Sequence, residues 1–434
     1  MMKPMGYWKN HPLTMAGGNP AAWTDKYACP DCFEDPALKN FVRSNASSPT
    51  CDFCGASSEN DLAASITDIA THIDECLRSE YAEAVDGVSW DSGEGGWQGA
   101  IIWNTDELLE EVGLELPNDS SGDLREALLD ALPSTDWSEG EPYGYNRDEF
   151  FRYSWERFCE TIKHESRFFF SRDRGDGDLL NASRTLGTIG RLCSQFGLIA
   201  DLPAGSVLFR ARENKRELTV RELGPPPKEL AVQSNRMSPA GIVMFYASDN
   251  PETALRETAR KSGTFAVGRF ETKRSVRILD LTRLTPVPSI FDPSNAHDRP
   301  QLLFLHSFAR DVSKPVAHDD RIHVEYVPTQ VVTEYFRSVF KTDDGARLAG
   351  VRYSSSQHPG HTSIVLFADQ ENLVREKGPD EWFGPADPWL ELIDQDLRYF
   401  RRRAIRRRGL RLAFASAWLL ALANGLSNWF AFRR

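Results

Sequence analysis

Four of the seven cysteines stand as two close pairs, Cys29-x2-Cys32 and Cys51-x2-Cys54, with eighteen residues between them. Two knuckles of this kind bring four thiolates to the corners of a tetrahedron, the geometry that Zn2+ takes in closed structural sites. Gly55, directly after the last cysteine, suits the tight turn of a knuckle. Four sulfur ligands leave no open coordination position, so the expected ion is structural rather than catalytic. Four unrelated surface thiols would instead be an oxidation liability. Lys39 and Arg43 lie between the pairs, but Glu34 and Asp35 lie beside them. No basic patch results, and the module gives no strong nucleic-acid signal. Cys76, Cys159 and Cys193 are scattered through apolar helical stretches and read as small core residues. That usage suits a reducing compartment rather than a disulfide scaffold.

The second half of the chain holds an ordered series of polar motifs. Arg210 and Arg212 follow the apolar run Val207-Leu208-Phe209, and Pro225-Pro226-Pro227 comes thirteen residues after Arg212. Ser234-Asn235-Arg236 leads into Ser238-Pro239-Ala240-Gly241, and Phe245-Tyr246-Ala247-Ser248 into Thr253-Ala254-Leu255-Arg256-Glu257. Tyr326-Val327-Pro328-Thr329-Gln330 and Gly350-Val351-Arg352-Tyr353-Ser354-Ser355-Ser356 close the series. Over residues 202–367 the chain resembles the RES domain family, named for its Arg, Glu and Ser. The resemblance implies an ADP-ribosyltransferase-like fold, NAD+ as substrate, and kinship with bacterial toxins. Some family members degrade NAD+ by phosphorolysis or hydrolysis, and others transfer ADP-ribose to a protein. The region ahead of it, with Trp155–Phe158 and His164–Phe170, resembles the HEPN-type N-terminal domain that precedes some RES domains.

Carried over residue by residue, the resemblance assigns Arg210 as the family arginine after the first strand and Arg236 as a second arginine before a Pro–Gly turn. Tyr246 matches the aromatic at the end of the next strand, and Glu257 the acidic residue of the following helix. Ser354 stands where the family has a proline. Ser355 is therefore assigned as the family serine, with Ser354 and Ser356 as alternatives beside it.

The residue types suit the chemistry. Nicotinamide leaves NAD+ as a neutral molecule, so no general acid is needed. The sugar left behind is an oxocarbenium ion, which a single carboxylate near the ribose can stabilise; Glu257 suits that role. Arginines such as Arg210 and Arg236 hold a pyrophosphate through paired hydrogen bonds that lysine cannot reproduce. Tyr246 can stack on a ring of the ligand, and a serine can fix a ribose or an amide. Outside the ordered series each residue would read differently. Glu257 between Arg256 and Arg260 would be a solvated helix residue, Tyr246 would be core, and the serines a loop.

The remaining elements form the frame. The chain has 434 residues, enough for two or three domains. Its 41 % hydrophobic and 26 % charged content is that of a globular protein. A net charge of −12 weakens the case for a general nucleic-acid binder. The expected architecture is multidomain: an irregular leader (1–27), a small zinc-binding module (28–56), an all-α middle domain (57–200), an α+β catalytic domain (201–372) and an Arg-rich, hydrophobic tail (373–434). In the middle, Leu62, Ile66, Ile69, Ile73, Leu77 and Tyr81 step by three or four along one helix face. Shorter helices are expected at 106–112 and 123–132. Asn146 with Glu149 forms an N-terminal capping signal for a helix reaching about residue 163. Residues 171–178 read as a mobile loop, followed by a helix over 182–196 that ends at Gly197. Beyond residue 200, strands are expected at 207–210, 242–247, 264–270, 276–279 and 363–367. Helices are expected at 251–261, 301–312 and 329–340.

Arg157 and His164 fit the loose Arg…His spacing of HEPN ribonucleases, though Phe158 follows the arginine where active enzymes carry a polar residue. His358/His361, His318 and His297 read as loop residues rather than ligands. Residues 397–411 contain eight arginines, and 412–432 form an uncharged run of 21 residues. Its length suits a bilayer, while Asn424, Gly425, Ser427 and Asn428 lower its hydrophobicity. The polar start of the chain, 1–15, does not read as a secretory signal. The expected setting is the cytoplasm, with membrane attachment through 412–432 as a further expectation. The leading function is cleavage of the nicotinamide–ribose bond of NAD+ by a toxin or defence effector, with an antitoxin protein as partner. ADP-ribosylation of an acceptor protein is the first alternative. A zinc/HEPN-type nucleic-acid-binding protein or ribonuclease is the second.

Overall fold

The computed structural model describes residues 25–170, 179–314, 321–374 and 388–401. Most of the leader, the loop at 171–178, His318 and the apolar run at 412–432 lie outside the described residues. Among the described residues no helix is long and apolar enough to cross a membrane.

The cysteine pairs lead into helix α1 (Pro36–Ser44). Asp35 caps it by accepting from the backbone N–H groups of Ala37 and Leu38, and Pro36 fills the first turn, where its missing N–H costs nothing. Helix α2 (Ile66–Leu77) is capped by Ser65 and buries Ile66, Ile69, Ala70, Ile73 and Leu77. It is shorter than the periodic run, because Tyr81 turns away into a strand. Helices α3 (Thr105–Glu111) and α4 (Asp123–Ala131) follow; Asn104 and Glu107 close a reciprocal capping box on α3.

The middle region is not all-α. Tyr81–Glu83, Asp136–Glu139 and Trp103–Asn104 pair as a three-stranded antiparallel sheet, and Trp90–Asp91 pairs with Gly96–Trp97. Strands of two to four residues are too short to show an alternating pattern, so periodicity finds only the helices between them. Nor does the cysteine module stand apart. Cys29, Cys32 and Cys51 share one core with Leu38, Val42, Ile69, Leu128 and Trp137, and Ile290 and Phe291 enter that core from the C-terminal half.

Helix α5 (Arg147–Glu160) begins at Asn146, whose side chain accepts from Glu149 N, and runs on into a single π turn at Thr161–Glu165. Helix α6 (Ala182–Gln195) ends just before Gly197, which has φ +66°. Trp155, Phe158, Leu186 and Ile189 of these helices pack with Phe304 and Phe308 of α8 (Arg299–Ser313) and Phe336 of α9 (Val327–Ser338). The same core takes in Val351 and Val365 of the large sheet. Residues 66–137 complete the cysteine core, and 155–193 belong to the core of the sheet, so that core runs across residue 200.

The large sheet has eight strands: β1 (Ile199–Leu202), β2 (Val207–Glu213), β3 (Phe245–Ser248), β4 (Gly263–Thr272), β5 (Val276–Asp280), β6 (Gly350–Ser354), β7 (Thr362–Leu366) and β8 (Leu390–Phe400). Their order is β8-β4-β2-β3-β7-β6-β5-β1. Every neighbouring pair is antiparallel except β5–β6. Strand β8 lies beyond residue 372, in the stretch read from sequence as the start of the tail. Leu390 is buried and Leu392 packs on the core, but Glu391, Asp394, Asp396 and Arg398 mask this edge strand among charges. Between β3 and β4 lies helix α7 (Pro251–Thr258), capped by Asn250, which accepts from Thr253 N.

Candidate active site

The cysteine cluster forms as its spacing requires. The four sulfurs lie within 4.8 Å of one another. Cys29 Sγ is 3.8 Å from Cys32 Sγ and 3.4 Å from Cys54 Sγ, and Cys32 Sγ is 3.6 Å from Cys51 Sγ. Zinc at about 2.3 Å from each of four sulfurs would set them about 3.8 Å apart, so the geometry fits such an ion. Cys29, Cys32 and Cys51 are buried and Cys54 is exposed. Gly55 has φ +73° and closes the second knuckle. Burial and the surrounding thiols push the Cys29 thiol up to about 12. Four cysteines held this way can bind a metal ion such as zinc.

The C-terminal half holds a cavity of about 540 Å³ over strands β2 and β3, walled by helix α7 and by the irregular segment that leads into β3. Arg210, Arg236, Tyr246 and Glu257 all line it. They come from a strand, a loop, the next strand and a helix. The turn from β3 into α7, set by the Asn250 cap, brings Glu257 back over the sheet.

Arg210 is fixed from one side only. Its Nη1 donates to the Tyr246 carbonyl at 3.0 Å, and the guanidinium lies 5.0 Å from the centre of the Phe245 ring. Its Nε is buried with no hydrogen-bond partner. Burial, aided by the charge of nearby Arg212, lowers its pKa to about 10, which leaves it cationic at neutral pH. Arg236 stands 5.8 Å from the centre of the Tyr353 ring, and its Nη1 is likewise buried without a partner. Two arginines on one cavity, each with a buried N–H left without a partner, are groups that can pair with an anion. The Tyr246 hydroxyl pairs with Ser238 Oγ at 2.9 Å, and burial raises the phenol to about 12, so it stays neutral.

Glu257 Oε1 accepts from Ser355 Oγ at 2.6 Å and from Ser363 Oγ at 3.5 Å. Ser355 Oγ in turn accepts from the backbone N–H groups of His358 at 3.1 Å and Gln357 at 3.3 Å. Of the three adjacent serines only Ser355 is buried; Ser354 and Ser356 face outward. Ser355 is not among the residues lining the cavity. It reaches the cavity through its hydrogen bond to Glu257. Ser355→Ala should lower turnover by about tenfold, the effect of losing one hydrogen bond to a charged group, with little change in ligand affinity. Steady-state kinetics on the variant checks this.

His358 and His361 stack at 4.1 Å and pin the loop after β6 to the start of α7: His358 Nδ1 meets Thr253 Oγ1 at 2.7 Å, and His361 Nδ1 meets Asp249 at 3.3 Å. Arg157 is ion-paired with Glu165, and His164 sits 4.0 Å from Glu160. Ser238 and Ser363, which bond Tyr246 and Glu257, had no role assigned from the sequence, nor had Thr329 and Gln330. Thr329 and Gln330 lay within a recognised motif, but their partners are more than ninety residues away in the chain.

Residues 208–385 match the RES domain, and residues 44–176 match HEPN/RES N-terminal domain 1. No curated protein and no solved structure matches the chain. The RES family is associated with NAD+-utilising toxins, which supports a general NAD+-related role for the protein. With the matched segments covering both the cavity and helices ahead of it, the chain carries a RES domain at residues 208–385, preceded by a HEPN/RES N-terminal domain at residues 44–176.

Proposed function

We propose that the cavity binds NAD+ and cleaves its nicotinamide–ribose bond. The observation that carries this reading is the meeting of two arginines, each with a buried unpartnered N–H, and one serine-anchored carboxylate on a single cavity. Arg210 and Arg236 take the pyrophosphate, and Tyr246 presents its ring to a base. Glu257 faces the ribose. As the C–N bond breaks, its electron pair leaves with neutral nicotinamide, and positive charge grows on the ribose. The Glu257 carboxylate stabilises that charge in a site partly closed to water. Water, phosphate or a protein side chain then donates an electron pair to the anomeric carbon and loses a proton. The four-cysteine centre is remote from this chemistry in sequence and belongs to a different core; its role is structural.

The deciding experiment mixes purified protein with NAD+, with and without phosphate, and identifies the products. Free nicotinamide with ADP-ribose marks hydrolysis, and a phosphorylated ADP-ribose marks phosphorolysis. Labelling of a protein marks ADP-ribosyl transfer. Intact NAD+ under all conditions overturns the reading. Arg210→Lys should weaken NAD+ binding by about tenfold or more, since an ammonium cannot make the two-point contact of a guanidinium. Calorimetric titration of NAD+ into parent and variant measures it.

A further inference from the structure

The segment 234–238 carries Arg236 to the cavity, yet it belongs to no helix or strand. With no ladder of its own, such a segment needs, for its partly buried carbonyls, donors from elsewhere. They come from the first turn of α9. Thr329 Oγ1 donates to the Arg236 carbonyl at 2.6 Å. Gln330 Nε2 donates to the Asn235 carbonyl at 2.7 Å and to Ser234 Oγ at 2.8 Å. Both side chains are buried, at 9 % and 6 % exposure. The segment adds one closure of its own, Asn235 N to the Ser238 carbonyl at 2.8 Å, and Ser238 Oγ meets Tyr246. Arg236 Nη1 has no hydrogen-bond partner, so that atom is placed through its backbone rather than by a partner of its own.

We propose that Thr329 and Gln330 are positioning residues that hold Arg236 at the anion-binding side of the cavity, and so set affinity for the pyrophosphate of the ligand rather than the rate of bond cleavage. This rests on the NAD+ reading above. The division of labour is geometric. Glu257 is held by Ser355 and Ser363 on β6–β7 and its own helix α7, whereas Arg236 is held by α9. The two halves of the site are supported by different elements, and their loss separates in kinetics.

The test uses the full chain with ADP-ribose as an unreactive binding probe and NAD+ as the substrate. The variants are Thr329→Val, Thr329→Ser, Gln330→Met, Arg236→Ala and the double variant Gln330→Met/Arg236→Ala. Thr329→Val and Gln330→Met each remove the side-chain donor from a carbonyl of this segment. Each should weaken ADP-ribose binding and raise KM for NAD+ by about tenfold with kcat little changed. Thr329→Ser, which keeps the hydroxyl, should retain the parent affinity. In the Arg236→Ala background Gln330→Met should add no further loss, because two groups acting through one contact are not additive. A purely structural role would not produce that non-additivity. Equal losses with and without Arg236, or unchanged affinity in folded Gln330→Met, would overturn the proposal. If Gln330→Met fails to fold, the Thr329 pair decides: equal affinity of the valine and serine variants refutes it. A parent protein that binds neither ADP-ribose nor NAD+ refutes the NAD+ reading itself, and the inference falls with it.

Discussion

Glu257→Gln is expected to lower NAD+ turnover by about 10²–10³-fold, the usual effect of removing one electrostatic contact aimed at charge that develops in the transition state. Glutamine keeps the shape and can still accept from Ser355 through its amide oxygen. The variant therefore loses charge rather than packing. Ligand affinity should stay near the parent value, because Arg210 and Arg236 are untouched and lie on different elements. Turnover and NAD+ affinity measured side by side separate the two effects. A Glu257→Gln protein that consumes NAD+ at the parent rate would make the carboxylate a surface residue and remove the assignment of the whole site.

Loss of the metal should have the largest effect on stability. The protein is expected to carry a single Zn2+ held by Cys29, Cys32, Cys51 and Cys54. In isolated zinc-finger peptides, binding supplies roughly 10–16 kcal/mol at neutral pH, as large as the whole stability of an ordinary domain, about 5–15 kcal/mol. The cysteine cluster shares its core with α1, α2, α4 and Trp137. Chelation, or Cys29→Ser with Cys51→Ser, should therefore unfold more than the knuckles: the region through Trp137 should lose its fixed packing. Tryptophan fluorescence reports this, since Trp137 is fully buried and its indole N–H bonds Thr105. The cavity draws on other cores, so NAD+ turnover should outlast zinc loss. Freshly reduced protein that contains no zinc and resists chelation unchanged would end the idea.

The parts legible in sequence share one property: their signal is local. The CxxC pairs, the Asn146 cap, the Gly197 stop and the apolar periodicity of α2 are each written in residues close together in the chain. Local spacing is what backbone geometry converts directly into structure. Even so, the short Trp-rich strands of the middle region escaped notice, because two residues cannot display a period. Strand β8 escaped because an edge strand needs only a few apolar residues.

The catalytic candidates were legible in another way, as an ordered set of residue types. Arg210, Arg236, Tyr246 and Glu257 could be named from sequence, but their meeting on one cavity could not be read from spacing. It required the strand order β4-β2-β3-β7 and the return of α7 over the sheet. Of Ser354, Ser355 and Ser356, it is Ser355 whose hydroxyl reaches Glu257, a partner 98 residues away that spacing could not reveal. The same holds for the support of Arg236 by Thr329 and Gln330. Sequence alone determined which chemistries this chain has groups for, because residue types carry charge and hydrogen-bonding capacity wherever they stand. Tertiary structure decided which groups act together, because hydrogen bonds and charge pairing depend on ångström distances set by strand order and helix docking rather than by separation along the chain.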